Sequence, residues 1–227
     1  MKRDIIFGLK IFSLILGIAI ASFVSISFLS VNEPDTLTNQ SIPRAAILDQ
    51  LSDDIPNESL IELATKYLVE AGYEVDIFTT KDITVDFYKQ LPSMNYQFVI
   101  VRSHGVQDDD NNPLLFTGER YTEDKYITEQ LFGNVKKATP LFEASFKPDM
   151  PNAEWVVLNA TTKILRTPAQ FTDQTQNQYF AIGPKFVRES MVGKFSGTTF
   201  LLAGCNTLSN SKLAESFVSR GASVVVG

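Results

Sequence analysis

Two residue types that could do covalent chemistry occur once each in the 227 residues: a cysteine, Cys205, and a histidine, His104. Both leave an apolar run at its carboxyl end. Thr199 to Ala203 leads into Gly204-Cys205-Asn206, and Tyr96 to Val101 leads into Arg102-Ser103-His104-Gly105. Short apolar runs bounded by turn residues read as buried parallel strands, and in open α/β sheets the loops at their carboxyl ends are where reacting groups collect. A thiol that meets an imidazole can be held as a thiolate, a nucleophile suited to attack on a carbonyl carbon. Each residue also has an inert reading, cysteine as a small buried hydrophobe and histidine as a hydrogen-bonded structural group. The turn-forming surroundings of Cys205 expose it, and a reachable thiol in an exported protein is a liability unless it is used. That both unique residues follow strands favours the pair, provided the two strands are neighbours.

The elements that must position them follow in chain order. Ala45 to Leu51 reads as a first strand, followed by a turn over Asp53 to Asn57. From Ser59 to Ala71 the residues Leu60, Ile61, Ala64, Leu68 and Ala71 recur at helical spacing, and Gly72 ends the helix. Glu74 to Phe78 is a second strand, and Thr84 to Leu91 a short helix before Pro92. Strand and helix alternation of this kind builds right-handed crossovers and a parallel sheet covered on both faces. From about residue 106 to 185 the pattern changes to short apolar runs and turns, read as a β-rich insertion over the sheet edge. Within it Trp155 to Leu165 reads as a strand hairpin or edge pair, and Phe116 to Glu119 as a turn beside the cleft. A helix over Phe186 to Val192 with Pro184 near its start, the Cys205 strand, a helix over Leu213 to Arg220 capped by Gly221, and the strand Ala222 to Val226 complete the reading. A domain that stops on an apolar strand is expected to continue into further strands.

Ahead of this domain, Lys2, Arg3 and Lys10 precede Ile11 to Val31, 21 residues without a charge. At about 1.5 Å rise per residue such a helix just crosses a hydrocarbon core of roughly 30 Å. Residues 1–31 are therefore expected to be a cytoplasmic stub and transmembrane signal anchor, 32–44 a polar linker, and 45–227 an extracytoplasmic domain, as basic residues stay inside. The alternative is a cleaved signal peptide, but its small-residue site, Ala19-Ile20-Ala21, lies inside the apolar run. The net charge is −6, and −8 once Lys2, Arg3, Lys10 and Asp4 are set aside, which argues against nucleic acid as a partner. One cysteine excludes an intramolecular disulfide and a cysteine-based zinc cluster, and one histidine excludes a histidine-rich metal site. Asp108, Asp110, Asn112 and Glu119 fall at positions 1, 3, 5 and 12 of a calcium loop. Pro113 occupies its turn glycine position, so a solvated acidic loop is favoured over calcium and no resident cofactor is expected.

Ile100-Val101-Arg102-Ser103-His104-Gly105, then Leu201-Leu202-Ala203-Gly204-Cys205-Asn206-Thr207, then Leu213-Ala214-Glu215 and Gly221 to Gly227 together resemble the caspase-like cysteine peptidases, which include clostripain, gingipain and legumain relatives. The resemblance runs from about Ala45 to the end. It implies a three-layer α/β/α caspase-like fold with a mostly parallel central sheet. It further implies a cysteine endopeptidase acting on a protein or peptide substrate, with Cys205 as nucleophile, His104 as general base and acid, and the backbone N–H groups of Gly105 and Cys205 as oxyanion hole. No third orienting residue is evident. Where clostripain and legumain relatives carry an Asp two residues before the nucleophile this chain has Ala203, so cleavage after a basic residue or Asn is not implied. The rival readings are a non-catalytic binding or scaffold module on the same fold, and a Cys-His hydrolase of other amides or esters.

Overall fold

The computed structural model describes residues 42–140 and 178–227, and the backbone of 155–158 and 163–166. The expected membrane segment, Ile11 to Val31, lies outside the described residues. Among those described, no helix is long and apolar enough to cross a membrane.

Strand β1 (Arg44–Asp49) carries Ala45, Ala46, Ile47 and Leu48, all fully buried. Such a continuous apolar run suits a strand covered on both faces. Helix α1 (Glu58–Glu70) starts where the Asn57 side chain accepts the Leu60 N–H at 3.2 Å, and buries Ala64 and Leu68. It ends at Gly72, whose φ of +89° is open to a residue without Cβ. Strand β2 (Glu74–Thr79) and a 3-10 turn lead to α2 (Val85–Gln90), whose first turn is capped twice. Thr84 Oγ1 accepts the Phe87 N–H at 3.0 Å, and Glu119 accepts the Val85 N–H at 2.7 Å. Strand β3 (Phe98–Arg102) is buried throughout.

A second sheet follows, from β4 (Gly105–Gln107), β5 (Pro113–Arg120), helix α3 (Ile127–Leu131) and β6 (Val135–Ala138). Strands β7 (Trp155–Leu158) and β8 (Lys163–Arg166) form an antiparallel pair of their own, the hairpin that the sequence suggests. Strand β9 (Tyr179–Ile182) returns to the second sheet, ordered β4-β5-β9-β6 and antiparallel. Helix α4 (Pro184–Glu189), β10 (Thr199–Ala203), α5 (Lys212–Ser219) and β11 (Val224–Val226) complete the chain.

The main sheet is parallel, in the order β2-β1-β3-β10-β11. Alternating side chains divide its two faces. Ala45, Ile47, Phe98 and Ile100 pack against α1. Ala46, Leu48, Val99, Val101, Phe200 and Leu202 pack against α2, α4 and α5 on the other side. There Phe200 meets Phe217 at 4.5 Å between ring centroids and Phe195 at 5.0 Å. Burying each such ring is worth about 1.5–3 kcal/mol, so this cluster holds β10 against the helices as an interior strand, between β3 and β11. The strands flanking the site end level, with Asp49 of β1 beside Arg102 of β3 and Arg102 beside Ala203 of β10.

Three local expectations change. The inner side chains of the second sheet, Leu115, Val135, Phe180 and Ile182, belong to the main core, so the insertion is continuous with it rather than laid over an edge. Phe116 to Glu119 is not a turn. It lies in β5 with a register shift against β9, and Gly118 sits so close to the Thr80 carbonyl that a side chain would overlap it. Thr-Gly here marks a bulge, a feature that shares turn residues with a true turn. Finally, α4 begins at Pro184 and ends at Glu189, because proline's fixed φ suits the first helical position.

Candidate active site

Three adjacent strands deliver the site to one rim. From β3 the chain runs through Ser103 and His104 into β4, and from β10 through Gly204 and Cys205 into a turn. Because β3 and β10 pair in parallel and in register, the sequence-predicted residues His104, Gly105 and Cys205 arrive side by side. The pairing continues past the strand ends, where Ser103 N–H donates to the Ala203 carbonyl at 3.3 Å.

Glycine is required at both crossing points. A Cβ on Gly105 would overlap the carbonyl oxygen of Cys205, and one on Gly204 would overlap that of Ser103 and lie 2.8 Å from Thr207 Cγ2. The two backbones are therefore in direct contact across the site. Gly204→Ala should force them apart at an expected cost of about 1–3 kcal/mol. The measurement is thermal unfolding, with alkylation of Cys205 followed in parallel. An alanine variant with wild-type stability and thiol reactivity would show that the contact is not required.

His104 is held on every side. Its N–H donates to Gln50 Oε1 at 2.9 Å, and its carbonyl accepts from Phe116 N–H at 3.2 Å. Its ring stands edge-on to Phe116 at 5.7 Å and 66°. The side chain is 12% exposed, and Nε2 lies 3.6 Å from Asp54 Oδ2. A carboxylate at that distance is placed to orient the ring. The bond from Phe116 to His104 adjoins the start of the β4 and β5 ladder, where Gly105 faces Leu115.

Cys205 is a free, exposed thiol. The next residue, Asn206, has a left-handed backbone with φ of +57°, a conformation that Asn tolerates better than most residues. The turn is closed by Thr207 Oγ1 donating to the Gly204 carbonyl at 3.1 Å and by Ser209 Oγ donating to that of Asn206 at 2.9 Å. Thiol, imidazole and carboxylate thus come from the ends of β10, β3 and β1, the last through the loop that carries Asp54.

Sequence reasoning missed Asp54 and Gln50. The stretch after β1 reads as an ordinary turn, and nothing local says that β1 adjoins β3. The available signal was positional, since polar residues just past the carboxyl end of a buried strand stand on the rim where sites form. Of the residues considered for calcium, Asp108, Asp110 and Asn112 share one loop and Glu119 stands apart from them. Asp108 accepts from Asp110 N–H at 3.0 Å, Asn112 N–H at 2.8 Å and Asn112 Nδ2 at 3.1 Å. Burial pushes the Asp108 carboxyl up, but these hydrogen bonds and Lys136 outweigh it and hold the carboxyl below its ordinary value. Glu119, at the other end of β5, is engaged with α2, Lys125 and Tyr126. Among the described residues there is no group of three or more His, Cys, Asp or Glu side chains placed to hold a metal ion. No protein-family model, no curated protein and no solved structure matches this chain.

Proposed function

We propose that the domain is a caspase-like cysteine endopeptidase, anchored by Ile11 to Val31 with its catalytic face outside the cytoplasm. The observation that supports the reading is the register of β3 on β10, which carries the backbones of the only histidine and the only cysteine to neighbouring strand ends. In the mechanism, His104 takes the Cys205 proton and the thiolate attacks the peptide carbonyl, forming a carbon–sulfur bond. Negative charge develops on the carbonyl oxygen, where the N–H groups of Gly105 and Cys205 stabilise it as fixed donors. The carbon–nitrogen bond breaks as the leaving amine takes the proton from His104. A water, deprotonated by the same imidazole, then attacks the thioester and releases the carboxylic acid and the thiol. Asp54, with Oδ2 3.6 Å from Nε2, is placed to orient the ring, the role a third residue plays in such sites.

The test is hydrolysis of a position-randomised fluorogenic peptide library by the full chain. Cleavage should be measurable for the wild type and absent for Cys205→Ala. Equal cleavage by both proteins would remove Cys205 from the mechanism. No cleavage, together with an ordinary thiol titration of Cys205, would favour a binding module on the same fold.

A further inference from the structure

We propose that Gln50 is a positioning residue for His104, an assignment that rests on the Cys-His reading above. Gln50 follows β1 and is fully buried. Its backbone is pinned at both ends, with its N–H donating to the Arg102 carbonyl at 2.9 Å and its own carbonyl accepting from Thr80 Oγ1 at 2.9 Å. From this fixed base the side chain reaches across to β3, where Oε1 accepts the His104 N–H at 2.9 Å and stands 3.3 Å from Ser103 Oγ. The amide orientation follows from the donor it meets, because a backbone N–H needs an acceptor. Gln50 Nε2 is thereby left buried with no hydrogen-bond partner among the described residues.

An orphaned buried donor costs about 1–3 kcal/mol, and local rules are broken in this way where a site gains from the break. Here the gain is a fixed origin for the imidazole. Asp54 constrains the far end of the ring, and Gln50 constrains the backbone from which the ring springs. Neither alone defines the direction of the histidine.

The experiment is iodoacetamide alkylation of the full chain as a function of pH, reading the one cysteine in wild type, Gln50→Met, Gln50→Glu and His104→Ala. Methionine removes the acceptor at similar volume, whereas glutamate keeps an acceptor oxygen. Gln50→Met should lose about fivefold in rate at pH 6, short of the loss on removing His104 itself, since small displacements at a reacting centre carry penalties. Its profile should move toward the free-thiol midpoint of about 8.5. Gln50→Glu should stay within about threefold of wild type, a rescue that a merely space-filling role would not produce. Wild-type behaviour of Gln50→Met beside a defective His104→Ala would overturn the Gln50 assignment and leave the dyad standing. So would equal losses in the Met and Glu variants. Wild-type behaviour of His104→Ala would overturn the dyad reading and the Gln50 assignment with it. If Gln50→Met does not fold, Gln50→Asn replaces it, with the same amide one methylene too short, and is read in the same way.

Discussion

Replacing His104 by alanine is expected to return Cys205 to the behaviour of an ordinary thiol while the fold survives. Cys205 is the only cysteine, so alkylation of the intact chain reports that one site. An unassisted thiol with a pKa of about 8.5 is only about 0.3% thiolate at pH 6, whereas one paired with an imidazolium is largely ionised there. The expected loss in alkylation is smaller than that ratio, because a thiolate of lower pKa is intrinsically less nucleophilic, with a Brønsted slope of about 0.4–0.5. The two effects leave a net loss of roughly tenfold at pH 6. The shape of the profile is therefore more telling than the rate, and its midpoint should rise toward about 8.5. Peptide hydrolysis should fall much further, by about 10²–10⁴, because the same group must also protonate the leaving amine. The ring contact with Phe116 is worth about 0.5–1.5 kcal/mol, which sets the stability loss to expect. Asp54→Asn should show an intermediate profile, since the amide keeps the shape and loses the charge beside Nε2. An alkylation profile identical in wild type and His104→Ala would end the Cys-His mechanism.

Arg102→Leu is expected to be the most destabilising single change near the site. Arg102 closes β3, and its guanidinium meets Asp49 Oδ1 at 2.5 Å, with side chains 8% and 6% exposed. A second nitrogen of the same fork donates to the Ile55 carbonyl. Leucine would fill much of the space and leave the Asp49 carboxylate buried without its cation, at a cost of about 3–5 kcal/mol. That is a large part of the 5–15 kcal/mol typical of a domain. Urea unfolding of the full chain should therefore show a midpoint lower by roughly 1–5 M, given a slope of about 1–3 kcal/mol/M. Lysine should not rescue, because a point charge cannot bridge a carboxylate and a carbonyl as the planar fork does. The double variant Arg102→Leu/Asp49→Leu should recover much of the loss, since two apolar groups replace two that needed each other. A loss below about 1 kcal/mol in Arg102→Leu would mean that the pair behaves as a solvated one.

The same residue links stability to chemistry. By holding Asp49 and the Ile55 carbonyl together, Arg102 ties down both ends of the segment that carries Gln50 and Asp54. The Arg102 variants are thus expected to lose thiol activation as well as stability.

What the sequence by itself determined is local. The apolar runs at β1, β3 and β10, the helical spacing of α1 and the glycines at helix ends each follow from side-chain period and backbone freedom over a few residues. So does the placement of His104 and Cys205 at strand ends, because Gly and Asn stop the strands there. Tertiary structure decided the rest. That β3 lies between β1 and β10 depends on helices packing on both faces, and only this order brings His104 to Cys205 on one side and to Asp54 on the other. The contacts of Gln50 and Arg102 span about fifty residues of chain, and such contacts leave no periodic trace. Phe116 to Glu119 shows the same limit, since Gly118 serves a close approach to Thr80 rather than a turn. Local pattern selects the type of each element, whereas order and register are chosen by burial of whole faces, and the site exists only where those choices meet.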